Sequence, residues 1–578
     1  MTTLIVIILY LGLLLGLGMY TNRLSRGTSQ DYFVASHSIG PFLLLMSVFG
    51  TTMTAFALVG STGKTFERGI GTYGLMASIS GLVHAAIFFV IGIRLWCYGK
   101  KHNFVTQIQF FRARFDSNTI GYILFPILVM LVIPYLLIGI IGAGKTIEPV
   151  TAGAFPDIFT NPTRPPWVGG IPPWLSGLVI SAVVLTYVFM GGSRGAAFAN
   201  TFQTLVFMVM GLVAFVFIVK ALGGLDNAGN VPARINDQGM LVQEYSYNKK
   251  EQQVTKSDTP KVIGKVKHWE EMSEEKREAL VGQQPHFTRT PIDLEYKTKN
   301  TKAGKDPDAP KLITKERELG IPPMTFLTYL FIPLSVGMFP HLFQHWLTAK
   351  SAKSFRLTVI AHPLCIMIVW VPCVLIGAWA SGILPPGMPP PAVLSNMLAQ
   401  LIQNDILTGL LTAGVLAAIM SSLDSQFLCL GTIFTNDIVL HKAGKGKYTD
   451  KQVVKIARTF IVVIVALTYA LAMALKDANV FDLAIWCFSG FGALFPVVFA
   501  ALYWKRATKE GAIASILAAT ITWFYYFQKA GYGGEYFIGE HKIVPAAVCF
   551  AAGAIAMIVV SLATKPPSKE TLDKFFKS

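Results

Sequence analysis

Stretches of about twenty mostly apolar residues recur almost end to end along this 578-residue chain, and no other feature limits its fold as much. Lipid cannot satisfy free backbone N–H and C=O groups, so such a chain folds as a bundle of membrane-crossing helices. Thirteen spans are expected, at roughly 3–22, 40–63, 72–97, 119–144, 173–191, 198–222, 323–347, 356–384, 405–438, 456–475, 480–503, 511–528 and 544–563. Only 14% of residues are charged, against about a quarter in soluble proteins. A soluble multidomain enzyme, a disordered protein and a coiled coil are thereby excluded. The first span has no basic stretch before it, and Arg23 and Arg26 follow it, so it is expected to be a retained helix rather than a cleaved signal. Six cysteines all fall in or at the ends of spans without CxxC spacing, which fits buried apolar packing and neither a disulfide framework nor zinc. No Walker A or dinucleotide-binding fingerprint is present, and an enzymatic role finds no support.

The net charge of +17 would suggest nucleic acid in a soluble protein. Here its placement gives it another meaning. With the N-terminus outside, Lys100, Lys101, Arg112, Arg114, Lys442, Lys445, Lys447, Lys505 and Arg506 all fall on inner loops. Lys64, Arg68, Lys145 and Arg164 belong to a much sparser outer set. The positive-inside rule then predicts an N-out, C-in protein with an odd number of spans, and no nucleic-acid partner. The polar segment 223–322 interrupts the series with 17 Lys/Arg and 16 Asp/Glu, so it is almost neutral although it holds half of the acids. By span count it lies outside. Ser273 to Gly282 has a capping serine, an acidic first turn and a closing glycine, which predicts a short helix. The remainder is expected to be an irregular strap or partly disordered, with a packing or interaction role.

Polar groups inside a membrane are costly and point to function. The densest set is Ser421, Ser422, Asp424, Ser425 and Gln426 in the ninth span. Ser421 and Ser425 share a helix face. Hydroxyl oxygens with a freed carbonyl suit a small hard cation such as Na⁺, and small-residue helix packing is the alternative reading. The second span carries Gly50, Thr51, Thr52 and Thr54, which weaken a helix and expose carbonyls at a break. The seventh carries Pro333, Gly337 and Pro340, which force a kink. Interrupted helices five spans apart point to inverted five-helix repeats with a midplane site. Thr52, Thr54, Ala55, Phe56 and Ala57, with Ser335 and Phe339, form the candidate solute wall. His84 and His362 are lone span residues, read as packing; Asp437 and Asp482 near span ends are read as interfacial or paired.

Several ordered motifs resemble the sodium:solute symporter family. They are Ser29 to Pro41, Tyr187 to Gly192 leading into Phe198 to Gln203, Ala417 to Gln426, Thr435 to Ile438, and Pro496 with Tyr503 to Arg506. The resemblance implies a LeuT-like fold with inverted repeats over spans 2–6 and 7–11. It also implies one Na⁺ between the first and eighth core helices. Its ligands would be the carbonyls of Gly50, Met53 and Ala418 and the hydroxyls of Ser421 and Ser422. Asn200 stands where the family has an acid, which favours one coupled Na⁺ over two; His345 stands where it has an arginine. Ile332 and Val336 replace the aromatics that sodium/proline carriers place there, which argues against proline and against a sugar stacked in the familiar way. Asn200, Ser425 and Asp424 are ranked as supporting or gating residues.

The resulting expectation is an all-α multi-pass protein of about 13 transmembrane helices in the cell (inner) membrane. The first peripheral helix and loop take 1–39, the first repeat 40–222, the polar insertion 223–322 and the second repeat 323–503. Peripheral helices take 504–564 and a cytoplasmic tail 565–578. Function is expected to be Na⁺-coupled import of a small organic solute by alternating access. The rivals are the same fold coupled to protons or to nothing, and a non-transporting sensor or scaffold whose insertion contacts a partner protein or a second chain.

Overall fold

The computed structural model of the chain describes residues 2–24, 27–160, 168–248, 250–288, 291–299, 312–444, 446–475 and 479–576. Arg26, Arg164 and Lys445, which entered the loop charges, lie outside these residues, as do 300–311 of the insertion. In chain order the long helices are α1 (Thr2–Arg23), a bent pair α2 (Pro41–Thr52) and α3 (Phe56–Arg68), α4 (Gly81–His102), α5 (Asn118–Val150) and α6 (Pro173–Ala221). A second bent pair follows, α7 (Pro323–Gly337) and α8 (Pro340–Thr348), then α9 (Ala352–Ala380), α10 (Asp405–Ala443), α11 (Asp450–Ala474) and α12 (Val480–Tyr503). The last two are α13 (Lys509–Lys529) and α14 (Pro545–Ala563). Among the described residues nine helices are long and apolar enough to cross a membrane, or eleven if each bent pair counts as one crossing. Helix α13 is 21 residues long but is not one of the nine.

Helix α6 runs 49 residues, about 74 Å at 1.5 Å per residue and more than twice a bilayer's hydrocarbon thickness. It changes direction at Gly192, whose φ of 54° and ψ of −147° leave the helical region. A side chain there would bring a Cβ within 2.7 Å of the Tyr32 ring and its carbonyl oxygen. The two spans expected at 173–191 and 198–222 thus form one run bent at a glycine that has no room for anything else.

The two bent pairs turn by 54° and 49°. In the first, the Met53 N–H closes the last turn on Phe49 O (2.9 Å), and Met53 then leaves the helix at φ −90°, ψ 84°. Thr54 Oγ1 accepts the Phe56 N–H (2.9 Å), so a threonine side chain satisfies a donor that the break orphans. In the second, Phe339 is extended (φ −64°, ψ 116°) and Pro340 opens α8, where its missing N–H costs nothing.

The all-helical class needs correction. Residues 234–319 contain a five-stranded antiparallel sheet in the order β1 (Arg234–Ile235), β2 (Met240–Asn248), β3 (Gln253–Val266), β4 (Ile292–Lys299), β5 (Leu312–Leu319). The expected irregular strap is an ordered layer because β4 alternates: Ile292 and Leu294 turn inward while Asp293 and Glu295 turn away from the core. With Ile235, Leu241, Val266, Trp269 and Leu319 they form a small core of their own, separate from the helical one. The predicted short helix is present at Glu274–Leu280. The sheet is fastened to the helices by named bonds. Gln243 Nε2 donates to Ser381 O and Leu384 O (both 2.9 Å), Ile70 N donates to His286 O (2.7 Å), and Gly320 N donates to Arg68 O (2.8 Å).

Candidate functional site

The break after α2 leaves its last carbonyls without helical donors, and the negative end of the helix dipole sits there. Two of these carbonyls have found side-chain donors. Tyr135 of α5 gives its hydroxyl to Thr51 O (3.3 Å), and Ser421 of α10 gives its own to Gly50 O (2.8 Å). Ser421 Oγ also lies 3.0 Å from Ala418 O in its own helix. One hydroxyl, 371 residues away in sequence, therefore bridges the broken helix to the intact one. Gly50 also lets α6 pack closely on the same turn: a Cβ there would stand 2.3 Å from Thr204 Oγ1.

The structure thus brings together Gly50, Ala418 and Ser421. Met53 sits at the break itself, and the Ser422 hydroxyl turns back to Ile419 O (2.9 Å). The donors are neutral oxygens, all buried, and they suit a monovalent cation, which needs charge density without a carboxylate. Among the described residues no group of three or more His, Cys, Asp or Glu forms a metal cluster.

One turn further along α10 lies a continuous polar chain. Ser425 Oγ receives Asn200 Nδ2–H (3.0 Å), lies 2.9 Å from His345 Nε2, and lies 2.9 Å from Asp424 Oδ1. Tyr187 donates to Asp424 Oδ2 (3.0 Å), and Gln203 Nε2 reaches the Tyr187 oxygen (3.4 Å). Asp424 is held by Tyr187 and Ser425 and not by Gln426, whose side-chain atoms are buried without partners. Asn200 and His345, two of the departures from the family pattern, meet on the same serine.

A cavity lies beside the break. Thr52, Met53, Phe56, Ser335 and Phe339 line it; Thr54, Ala55 and Ala57 do not. Tyr135, Tyr329, Trp370, Phe488, Ser80 and His84 complete much of the wall. Sequence reasoning missed them because they converge from five separate stretches of chain. His84 and His362 are not lone: their rings are 5.4 Å apart, and His362 Nε2 lies 3.2 Å from Thr52 Oγ1.

Toward the sheet, a second cavity adjoins a charged lattice. Lys64 on α3 meets Asp482 (3.1 Å), Glu535 (2.8 Å) and Glu67 (3.7 Å). Arg68 meets Glu535 (2.6 Å) and Glu318 of β5 (2.9 Å), and Lys542 also reaches Glu318 (3.3 Å). Burial disfavours a charged Glu535, yet Lys64 and Arg68 outweigh it and hold the carboxyl below the usual glutamate range. Burial pushes His286 of the sheet segment down to about 4, despite its ring bond to Phe66 O (2.9 Å) and with Arg317 nearby adding to the fall. Asp482 is therefore paired, as is Asp437, which Arg112 reaches at 3.4 Å.

With this geometry in view, a profile of the sodium:solute symporter family matches residues 32–154 and 170–519. The chain belongs to the sodium:solute symporter family. The sodium/proline symporters of Staphylococcus aureus strains JH9 and JH1 are each 24% identical to it over 577 residues, covering 98% of this chain and 93% of theirs. Among solved structures, a substrate-bound, outward-open Na⁺-coupled sialic acid symporter aligns with a TM-score of 0.67 at 16% identity over 98% of both chains. That likeness establishes a shared fold. This family member carries a serine-rich stretch on α10 opposite the break in α2, and a five-stranded sheet between its helices.

Proposed function

We propose that this symporter imports a small organic solute with Na⁺ by alternating access across the cell (inner) membrane, with Gly50, Met53, Ala418, Ser421 and Ser422 as Na⁺ ligands. The observation that carries the reading is the Ser421 hydroxyl spanning Gly50 O on broken α2 and Ala418 O on α10. That hydroxyl lies within hydrogen-bond reach of both carbonyls. When Na⁺ enters, the hydroxyl turns to offer its lone pairs, and the ion joins the same oxygens with more charge than a proton donor supplies. Na⁺ therefore favours whichever arrangement holds α2 against α10. If the solute cavity beside Thr52 is complete only in that arrangement, each ligand raises the other's affinity by the same factor.

Several finer expectations belong to the same proposal. Splitting α6 at Gly192, counting each bent pair once and adding α13 makes thirteen crossings, with the N-terminus outside and the C-terminus inside. Segments 40–222 and 323–503 act as the inverted repeats, each opening on a broken helix. Residues 1–39 and 504–564 are peripheral, 565–578 form the inner tail, and the 223–322 insertion caps the outer face. Asn200, Ser425 and Asp424 support the ion site through the polar chain. Uptake of a solute panel into proteoliposomes, with and without an inward Na⁺ gradient, tests the proposal. Accumulation only with the gradient supports it; accumulation driven equally well by K⁺ or by a proton gradient sinks it.

A further inference from the structure

The symport reading leaves the solute's chemistry open, and the walls of the cavity beside the α2 break narrow it. Six of its lining side chains are aromatic: Phe56, Tyr135, Tyr329, Phe339, Trp370 and Phe488. They hold one another at fixed angles. Phe339 stacks on Tyr135 (5.6 Å, 30°), while Phe488 stands edge-on to Phe56 (5.2 Å), Tyr135 (5.3 Å) and Phe339 (5.5 Å). Trp370 closes against Phe56 edge-on at 6.2 Å. Rings packed in this way present flat faces and electropositive edges to an occupant, which favours a planar one.

Charge recognition is missing. Among the described residues that line the cavity there is no Asp, Glu, Lys or Arg. The bound cation would not supply it, because only Met53 of the five proposed Na⁺ ligands belongs to the wall. A solute carboxylate or ammonium would thus lose its hydration without a counter-charge. Hydrogen-bonding capacity, by contrast, stands ready. The Trp370 indole N–H, in a residue only 2% exposed, has no acceptor, and His84 Nδ1, in a residue 8% exposed, has no partner either. Buried polar atoms are nearly always paired, so an unpaired donor beside a cavity is satisfied by what enters it. His84 also packs on His362, which is bonded to Thr52 at the α2 break, so a ligand on this wall touches the element that carries the ion.

We infer that the transported solute is an uncharged, planar, ring-bearing compound whose carbonyl or ring-nitrogen acceptor takes the Trp370 N–H. This inference rests on the symport reading of the same cavity, and the experiment separates the two. The purified full-length protein is melted in Na⁺ or in K⁺, alone and with each member of a panel. The uncharged ring compounds are nicotinamide, uracil, hypoxanthine and benzamide; the others are nicotinate, benzoate, proline, sialic acid and glucose. Na⁺ alone tests the symport reading: if it stabilises no more than K⁺, that reading fails first. Given Na⁺ stabilisation, a further Na⁺-dependent rise with at least one uncharged ring compound, and with none of the others, supports the inference. A rise with a charged solute or with glucose, or with no uncharged ring compound, overturns it. Trp370→Phe keeps the ring and removes the N–H. It should weaken the stabilising solute about tenfold while the shift from Na⁺ alone persists. Unchanged solute affinity in Trp370→Phe would overturn the assignment of that donor.

Discussion

The two halves of the first broken helix are held by opposite chemistries. On the α2 side, Gly50 meets α10 through a serine hydroxyl, and the nearby groups are neutral oxygens. On the α3 side, Lys64 and Arg68 meet α12, β5 and the 530s loop through four carboxylate contacts of 2.6 to 3.1 Å. The difference teaches which side can exchange partners. A hydroxyl bridge is worth about 1 kcal/mol and gives way readily to a cation. A buried ion lattice loses far more when one member is removed, since the remaining charges stay desolvated. On the proposed function the neutral side is the joint that exchanges an ion, while the charged side is a clasp that fixes α3 against the sheet.

The comparison can be broken from the charged side first. Lys64→Met leaves Asp482 and Glu535 without their shared cation, and it should cost about 3 kcal/mol of stability in detergent melts. The double variant Lys64→Met/Asp482→Leu should recover part of that loss. A Lys64→Met melt equal to wild type would show that the lattice is not a clasp. Next, Gly50→Ala would force a Cβ to 2.3 Å from Thr204 Oγ1 and should cost about 2 kcal/mol. Thr204→Ala should relieve it, and absence of rescue would mean that α6 does not press on the break as described.

Smaller effects sharpen the neutral side and the sheet. Ser421→Ala should raise the Na⁺ needed for half-maximal uptake about tenfold, with little change in melting temperature without Na⁺. His286 gives a pH signature. Its pKa falls from 6.5 to about 4 on folding, so the unfolded chain binds more protons between those values. The associated stability is fully present above about pH 6.5 and is lost as pH falls toward 4, by about 1 kcal/mol between pH 7 and 5.5. His286→Asn should flatten this part of the profile. An unaltered slope in that variant would remove His286 as its source.

What the sequence made legible follows from range. Gly50 with its threonines, and Pro333, Gly337 and Pro340, act on their own backbone, so both breaks could be read where they occur. The serines of α10 stood out because lipid leaves few reasons for a polar run. Lys64 and Asp482 are 418 residues apart in sequence, and nothing local in either announces the other. The aromatic cavity likewise needs Tyr135, Trp370 and Phe488 to converge from three helices. The sheet is a different case. The alternation of Ile292, Leu294 and Tyr296 was present to be read, but the even mixture of charges in 223–322 drew attention to solvation instead of period.

Direct binding of radioactive Na⁺ to the purified protein, wild type against Ser421→Ala, tests the joint without knowledge of the solute. Saturable binding in the wild type that is greatly weakened in Ser421→Ala is the predicted result. Equal binding in both proteins, or none in the wild type, would contradict a Na⁺ site built on the break in α2 and the serine of α10.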